Sequence, residues 1–510
     1  MTRSLTSRRR LAALAGAAPL VLGGGAAHAA TFTGPTSSTA PYVLPASPAV
    51  DITSLLTVGD SVGGYRMVGI PDGLGATAGR RGLSVTLNHE LSAGKGIVRR
   101  HGAKGAFVSR WTVGWNGAVT SGADLIGPGV TYWDYPARRT STVPSTGGTN
   151  PRVAGDTFTA QLADFSRLCS ASLATDDQLR GRGGRGLRGS DLFFANEESG
   201  SEGRVFGVLD DGTARQLPRL GLASWENHVM ADTGSDDTVV VGGEDGGEGQ
   251  LWVYRGRKQR SLDPFRAAGL TTGVNAVLDL ERQDVNTDAA FRSTFGKGAP
   301  ARFELNTIDW DASGARQNAD ALAKGLTLNR IEDLEFDPRD PNVLYFVTTA
   351  GGDRTPAPGE SAPRDGGGLW KVTFDDVSDP EAGGTIELVL DGSEAPYLSA
   401  PDNITIDRFG NLLIQEDPGG NPHLARIVAV DLDRPGRRAV LAQFDAAQFA
   451  GPAAITTDEE SSGIIPVPGQ AGTFLFDAQV HKGLADPELV EMGQLLTLRV
   501  RDWRRVYGDR

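Results

Sequence analysis

The chain has 510 residues, 63 acidic against 50 basic side chains, and a formal net charge of −13. Such a balance makes nucleic acid and anionic membrane surfaces poor partners. A single cysteine, Cys169, leaves no intramolecular disulfide, so a hydrophobic core must hold the fold, and 68 glycines with 28 prolines predict a turn-rich β protein.

Residues 1–29 read as an export signal: Arg8, Arg9 and Arg10, an apolar run from Leu11 to Leu22, then Ala27-His28-Ala29 before a cut. The run is too short for a membrane span. Paired arginines ahead of it lean towards the twin-arginine route, and predict a periplasmic or extracellular protein. Cleavage would remove four arginines and no acids, taking the charge to about −17. Residues 30–48, rich in Ser, Thr and Pro, predict a flexible arm. Residues 49–510 are expected to form one domain with insertions.

In that domain LSVTLNHE, from Leu83 to Glu90, is the first predicted strand to end on a polar cluster. The stretch Pro136 to Gly155 predicts a surface excursion. Helical pattern is sparse, with short segments over Thr157 to Leu168, Asp284 to Phe295 and Ala315 to Ala323. The basic insertion GRGGRGLRG, Gly181 to Gly189, reads as a loop and not as a phosphate cradle, because no strand leads into it. The rest is apolar runs of four to eight residues between Gly, Asp and Pro, an all-β pattern.

Three of those runs stop on paired acids: DLFFANEE (Glu197, Glu198), TVVVGGED (Glu244, Asp245) and NLLIQED (Glu416, Asp417). Two are soon followed by a second strand start, Gly203 to Phe206 and Gly249 to Trp252. VLYFVTTAGG and TFLFDAQVH share the layout without the acids. Repeats of this size stack or circle an axis, since one unit cannot bury its own apolar face. In a propeller, equivalent positions of successive blades meet at one central channel. Carboxylates gathered there raise one another's pKa, and bound cations are the remedy. Oxygen ligands suit calcium or magnesium; an added thiolate favours iron. Side chains alternate along a strand, so at most one acid of each pair faces the channel.

Each remaining candidate has two readings. Cys169 is a buried structural cysteine or a ligand. Asn88-His89-Glu90 and Glu226-Asn227-His228 are strand-end caps or metal clusters. Arg330 beside Glu332 and Asp333 is an ordinary ion pair, or, where the carboxylates hold metal, a guanidinium free to grip a phosphoryl or carboxylate oxygen. PDNITIDRFGNLL, from Pro401 to Leu413, is a turn device or an oxygen-rich corner for calcium. No H-E-x-x-H or C-x-x-C motif occurs.

Taken together, NHE (Asn88 to Glu90), Cys169 followed by the Glu197-Glu198 strand end, R-x-E-D (Arg330 to Asp333), FDPRDPNVLYFVTT, PDNITID, LLIQEDPGG and DEESSGI (Asp458 to Ile464) resemble the PhoX-type alkaline phosphatases. The resemblance runs through most of the mature chain and is strongest from Arg330 to Ile464. It implies an all-β, six-bladed propeller exported by the twin-arginine route, a monomer hydrolysing small phosphate esters at a cluster of calcium and iron (Fe3+). It further implies metal ligation by Cys169, Glu198 or its neighbour Glu197, Glu244 and Glu332, with Glu90, Glu226 and Glu416 as further candidates, and phosphate contact by Arg330. The chain departs from the family pattern in two places. A P-W-G-T-W segment expected after the cysteine is missing where Gly181 to Gly189 lies, and WENH replaces the expected histidine-glutamate order around Glu226. These departures suit a divergent branch. PDN-x-x-x-D is also similar to a corner of calcium-dependent lactonases, one alternative; a non-catalytic, calcium-stiffened propeller is another.

Overall fold

The computed structural model describes residues 29–420 and 422–508; the expected signal segment lies almost wholly outside these residues. Antiparallel strands dominate. Six strands line a central channel, each touching the next and the last touching the first: Pro71–Gly79, Leu168–Ala174, Trp225–Met230, Ile331–Phe336, Pro401–Ile406 and Glu459–Pro466. Each is the end strand of a sheet that runs outwards by successive hairpins. Four of the sheets, of four or five strands, stand as propeller-like blades. The third and fourth inner strands are instead the two ends of one nine-stranded sheet, joined at its outer edge where Ala301–Ile308 pairs with Gly384–Leu390. That sheet curls until its ends meet, a nearly closed barrel, so hydrogen bonding draws four blades and a barrel where six separate blades were expected.

The repeat glimpsed in the sequence is a repeat of one corner. The first residue of every inner strand pairs with the last or near-last residue of the strand after it: Pro71 with His89, Leu168 with Glu197, Trp225 with Glu244, Ile331 with Thr348, Pro401 with Glu416 and Glu459 with Val480. At each corner the carbonyl just before the inner strand accepts a hydrogen bond from the N–H just past that pair, as from Glu90 to Ile70, Glu198 to Arg167 and Asp417 to Ala400, at 2.8 to 2.9 Å. Four of these turning residues, Ile70, Arg167, Arg330 and Ala400, hold left-handed φ between 47° and 54° although none is glycine. Such a conformation costs roughly 1–3 kcal/mol and persists only where the surroundings enforce it. In five corners the pairing slips by one residue directly afterwards, as between Pro71 and Leu74 or Trp225 and His228. A bulge of that kind re-aims the side chain that follows the paired residue, and here that side chain is turned into the channel.

The core lies between sheets and leaves the axis polar. Leu55, Leu74, Val85, Trp111 and Leu475 fill the gap between the first and last sheets; Val343, Ile404, Ile414 and Val430 fill another. The glycines of GGED answer to this packing. A Cβ on Gly242 would lie 2.5 Å from the imidazole Nε2 of His228, and one on Gly243 2.9 Å from Leu334.

Residues 30–48, expected as a flexible arm, are docked. Ala30–Thr33 pairs in parallel with Val50–Thr57, and Val43–Pro45 adds a strand beside Arg438–Phe444. Val50–Thr57 itself pairs with Glu491–Val500, so the beginning and end of the described chain share one sheet and close the ring. Of the three expected helices, Asp288–Thr294 and Gly314–Lys324 form, capped by Thr287 and Ser313. Thr157 to Leu168 does not: its Phe158 and Phe165 are each buried in different clusters while Leu162 is exposed, so it runs as a short strand and a loop. The insertion at Gly181 to Gly189 is an exposed loop with one 3-10 turn, as expected.

Candidate metal and phosphoryl site

The second residue of each inner strand is Asp72, Cys169, Glu226, Glu332, Asp402 or Glu460. The residue just past the pair on the adjoining strand adds Glu90, Glu198, Asp245, Thr349, Asp417 and His481. One corner, repeated around the axis, therefore delivers ten acids or thiols, a hydroxyl and an imidazole to one end of the channel. Four overlapping triads result: Asp72, Glu90 and Cys169; Cys169, Glu198 and Glu226; Glu226, Glu332 and Asp402; Asp402, Asp417 and Glu460. Within each, three ligand atoms lie within 4.8 Å of one another. Cys169, Glu226 and Asp402 each serve two triads, which makes the set a continuous string.

Burial, followed by the nearby carboxylates Glu332, Asp72 and Glu198, pushes Glu226 well above the usual carboxylate range. Burial does the same to Glu332, with Asp245 adding to it and Arg330 opposing it. Asp72 and Asp402 are raised for like reasons, and Glu198 and Glu460 are each pushed up to about 8, burial again leading. The thiol of Cys169 is raised by removal of water and then by Glu226, Asp72 and Glu90. Burial alone would lower His481, but hydrogen bonds to Glu460 and Glu491 outweigh it and lift the imidazole to about 11. Like charges so close cannot all ionise without compensation, and divalent or trivalent cations supply it. The donor set fits such ions: carboxylate oxygens throughout, with one thiolate shared by two triads.

Two guanidiniums lie over this end. Arg330 donates from Nε and Nη2 to Asp245 Oδ1 and Oδ2, each at 3.1 Å, and its Nη2 is 2.9 Å from Glu332 Oε1. Arg167 donates from Nε to Glu90 Oε1 at 3.0 Å and pairs with Glu198. Below the acids runs a layer of buried amide, hydroxyl and carboxyl groups. There Asn227 Nδ2 donates to Asp333 Oδ1 at 2.6 Å, and Ser462 Oγ donates to Asn403 Oδ1 at 3.1 Å. A cavity of about 490 Å³ opens beyond that layer, walled by Leu74, Leu173, Val229 and Phe336. Its walls mix apolar side chains with Asp177, Asp232, Glu335 and Asp337 and lie on the far halves of the inner strands, away from the triads.

Of the candidates read from sequence, Cys169, Glu90, Glu198, Glu226 and Glu332 come together in the triads, with Arg330 beside them. Glu197, Glu244 and Glu416 are placed elsewhere. Each sits opposite a core-facing first residue of an inner strand, and alternation turns it away from the channel while the next acid turns in. Glu197 is gripped by Arg204 through Nε–Oε2 at 2.5 Å and Nη2–Oε1 at 2.7 Å. Glu244 accepts from Trp252 Nε1 at 2.9 Å, and Glu416 from Arg426 and from the Ser399 N–H at 2.8 Å. Glu416→Ala is therefore expected to strand a buried guanidinium and to cost roughly 3–5 kcal/mol in denaturant unfolding. Metal content should stay unchanged; loss of ions on this substitution would move Glu416 back into the site.

The model of the family described as Alkaline phosphatase PhoX matches residues 209–464. The chain belongs to the PhoX alkaline phosphatase family. It is a phosphoric monoester hydrolase of that family. The PhoX match takes in Glu226, Glu332, Asp402, Asp417 and Glu460, whereas Asp72, Glu90, Cys169 and Glu198 precede it. Pseudomonas fluorescens PhoX in complex with vanadate, a transition-state analogue, is similar in fold, with a TM-score of 0.57 at 12% identity over 89% of this chain and 95% of that one. The GH93 α-L-arabinofuranosidase of Fusarium graminearum, complexed with arabinobiose, gives a TM-score of 0.40 at 9% identity over 89% and 98%. No curated protein matches the chain by sequence.

The sequence reading assigns no ligand role to Asp72 or Glu460; it holds Asp417 only as one of a pair and Asp402 only within the oxygen-rich PDN corner. The signal was available one strand earlier than the acidic endings. PDGLG, CSAS, ENHV, EDLE, PDNIT and EESSG each open an inner strand with an acid or cysteine followed by a small or polar residue. Ending and opening alternate along the chain, and only the endings were read as a repeat.

Proposed function

We propose that this is an exported, metal-dependent phosphomonoesterase whose ions are held by the string Asp72, Glu90, Cys169, Glu198, Glu226, Glu332, Asp402, Asp417 and Glu460. One observation carries the reading: four cation-sized triads share members around a single channel end. The nine-stranded sheet is read as two blades joined edge to edge, which makes six blades and gives every blade one corner. The triads containing Cys169 suit iron, and the all-oxygen triads suit calcium.

Cations in these positions would neutralise the ring and polarise a phosphoryl group. The protein's own part is binding and orientation. A phosphate monoester is anionic and would be repelled by the bare carboxylates. With Glu332 committed to a cation, Arg330 is left with Asp245 as its carboxylate partner, and its remaining donors can hold phosphoryl oxygens, a grip worth most where charge builds on those oxygens. The buried amide layer of Asn227, Asn403 and Ser462 fixes the inner strands in register beneath the acids. Export rests on the N-terminal sequence alone. Among the described residues no helix is long and apolar enough to cross a membrane.

The test is metal analysis of the natively exported protein together with p-nitrophenyl phosphate turnover, with and without a calcium chelator. Iron and calcium with chelator-sensitive turnover is the expected result. Calcium alone, with lactone and not phosphate-ester turnover, would replace this reading.

A further inference from the structure

Arg167 holds, at the second inner strand, the place that Arg330 holds at the fourth. Each directly precedes its strand, each has left-handed φ, 48° and 54°, and each carbonyl accepts from the residue beyond the adjoining strand, Glu198 at 2.9 Å and Thr349 at 3.0 Å. The corner itself does not call for arginine, since Ile70 and Ala400 make the same turn. Both side chains remain accessible, 45% and 42% exposed. Both also spend their donors on carboxylates that crowd the ion-holding set: Arg167 on Glu90 and Glu198, Arg330 on Asp245 and Glu332. Glu198 and Asp245 meet at Ser224: Glu198 bridges to it through the backbone, and the Ser224 carbonyl accepts from the Asp245 N–H at 2.9 Å. Arg167, Glu198, Asp245 and Arg330 thus form one string across the mouth of the channel.

A carboxylate that turns to a cation loosens its hold on a guanidinium. Once ions enter, donors of both guanidiniums are left at the same mouth, on either side of Ser224, and a tetrahedral oxyanion has oxygens enough for both. We propose that Arg167 is a second phosphoryl-contacting arginine, so that the phosphoryl group is held from two sides by Arg167 and Arg330. This rests on the phosphomonoesterase reading, and it adds a residue that lies outside the matched stretch.

The experiment is calorimetric titration of the metal-loaded protein with inorganic phosphate and with orthovanadate. Wild type, Arg167→Ala and Arg167→Lys are compared, with metal content and p-nitrophenyl phosphate kinetics measured on the same samples. A charge-assisted hydrogen bond is worth about 1.5–3 kcal/mol, so Arg167→Ala is expected to weaken both oxyanions by roughly 10–100-fold with its ions retained. Lysine should restore part of the loss, as a point charge without the fork. Unchanged affinity would overturn the inference. So would loss of ions in Arg167→Ala, which would make the arginine a brace for the carboxylates and no substrate contact. Arg167-dependent phosphate binding in a wild type that turns over no phosphate ester would sustain the oxyanion site and overturn the phosphatase reading instead.

Discussion

Replacing Glu226 by alanine is expected to strip the site of cations and to lower turnover by roughly three decades or more, the scale of several kcal/mol of transition-state stabilisation. Glu226 is chosen because it belongs to two triads and joins the thiol-containing half of the string to the all-oxygen half. The same loss is expected of Glu332→Ala, which belongs to one triad and also frees Arg330. The stability of the variant carries a second signature. In the metal-free protein Glu226 is a buried acid that burial and three neighbouring carboxylates drive towards the neutral form, so its removal relieves repulsion and should leave unfolding free energy unchanged or higher. In the loaded protein the same removal takes away a ligand, and the stabilisation that ion binding lends the fold falls with it. The denaturant midpoint of the variant should therefore fall without chelator and hold or rise with it. Full metal content in Glu226→Ala would end the assignment.

Removing the ions from the native sequence should also steepen the loss of stability as pH rises. Glu198 and Glu460, pushed up to about 8, keep protons in the fold that they lose in the unfolded chain above about 4.5. Their contribution is full below the unfolded value and is lost as pH rises through 8, at up to about 1.4 kcal/mol per pH unit for each group. His89 and His228 act in the other direction. Burial lowers both to about 3 from 6.5; His89 is stacked on Phe107 at 4.2 Å, and His228 lies against Trp225. Their contribution is present above 6.5 and is lost as pH falls towards 3. Between pH 6.5 and 8 His89 and His228 are largely uncharged in both states, and the carboxylates act together with His481, which is lifted to about 11 and keeps in the fold a proton that the unfolded chain loses above 6.5. Over that window the chelator-treated protein is expected to lose thermal stability as pH rises. The loaded protein, whose carboxylates are held ionised by their cations, should lose less. A metal-free melting temperature that is flat or climbs from pH 6.5 to 8 would contradict the crowding of acids on which the site rests.

The sequence disclosed the β class, two of three helices and the convergence of acids on an axis, because all three follow from periodicity and repetition. It disclosed Glu198 only as one of a pair. Which acid of Glu197-Glu198 or Glu416-Asp417 faces the channel is set by where the antiparallel pairing stops, and that depends on a partner strand met earlier in the chain. Asp72 was harder still. It stands after Pro71 in a glycine-rich strand with no acidic neighbour, and it acquires its meaning from Cys169, Glu90 and a serine contributed by the last inner strand. The docking of Ala30–Thr33 and Val43–Pro45 was illegible for a related reason: polar residues there are satisfied by backbone pairing at sheet edges, which composition does not record.

The sharing of one sheet by Val50–Thr57 and Glu491–Val500 sets a schedule for the molecule's birth. Asp72 and Ser462, which hydrogen-bond at 3.0 Å, are 390 residues apart, and the sheet that closes the ring between them joins an early strand to a late one. A chain still on the ribosome can hold fragments of the acidic string but not its two ends. Closing the ring is thus an event of the nearly finished polypeptide, and a chain stopped before Glu459–Pro466 would lack Glu460 and the triad it completes.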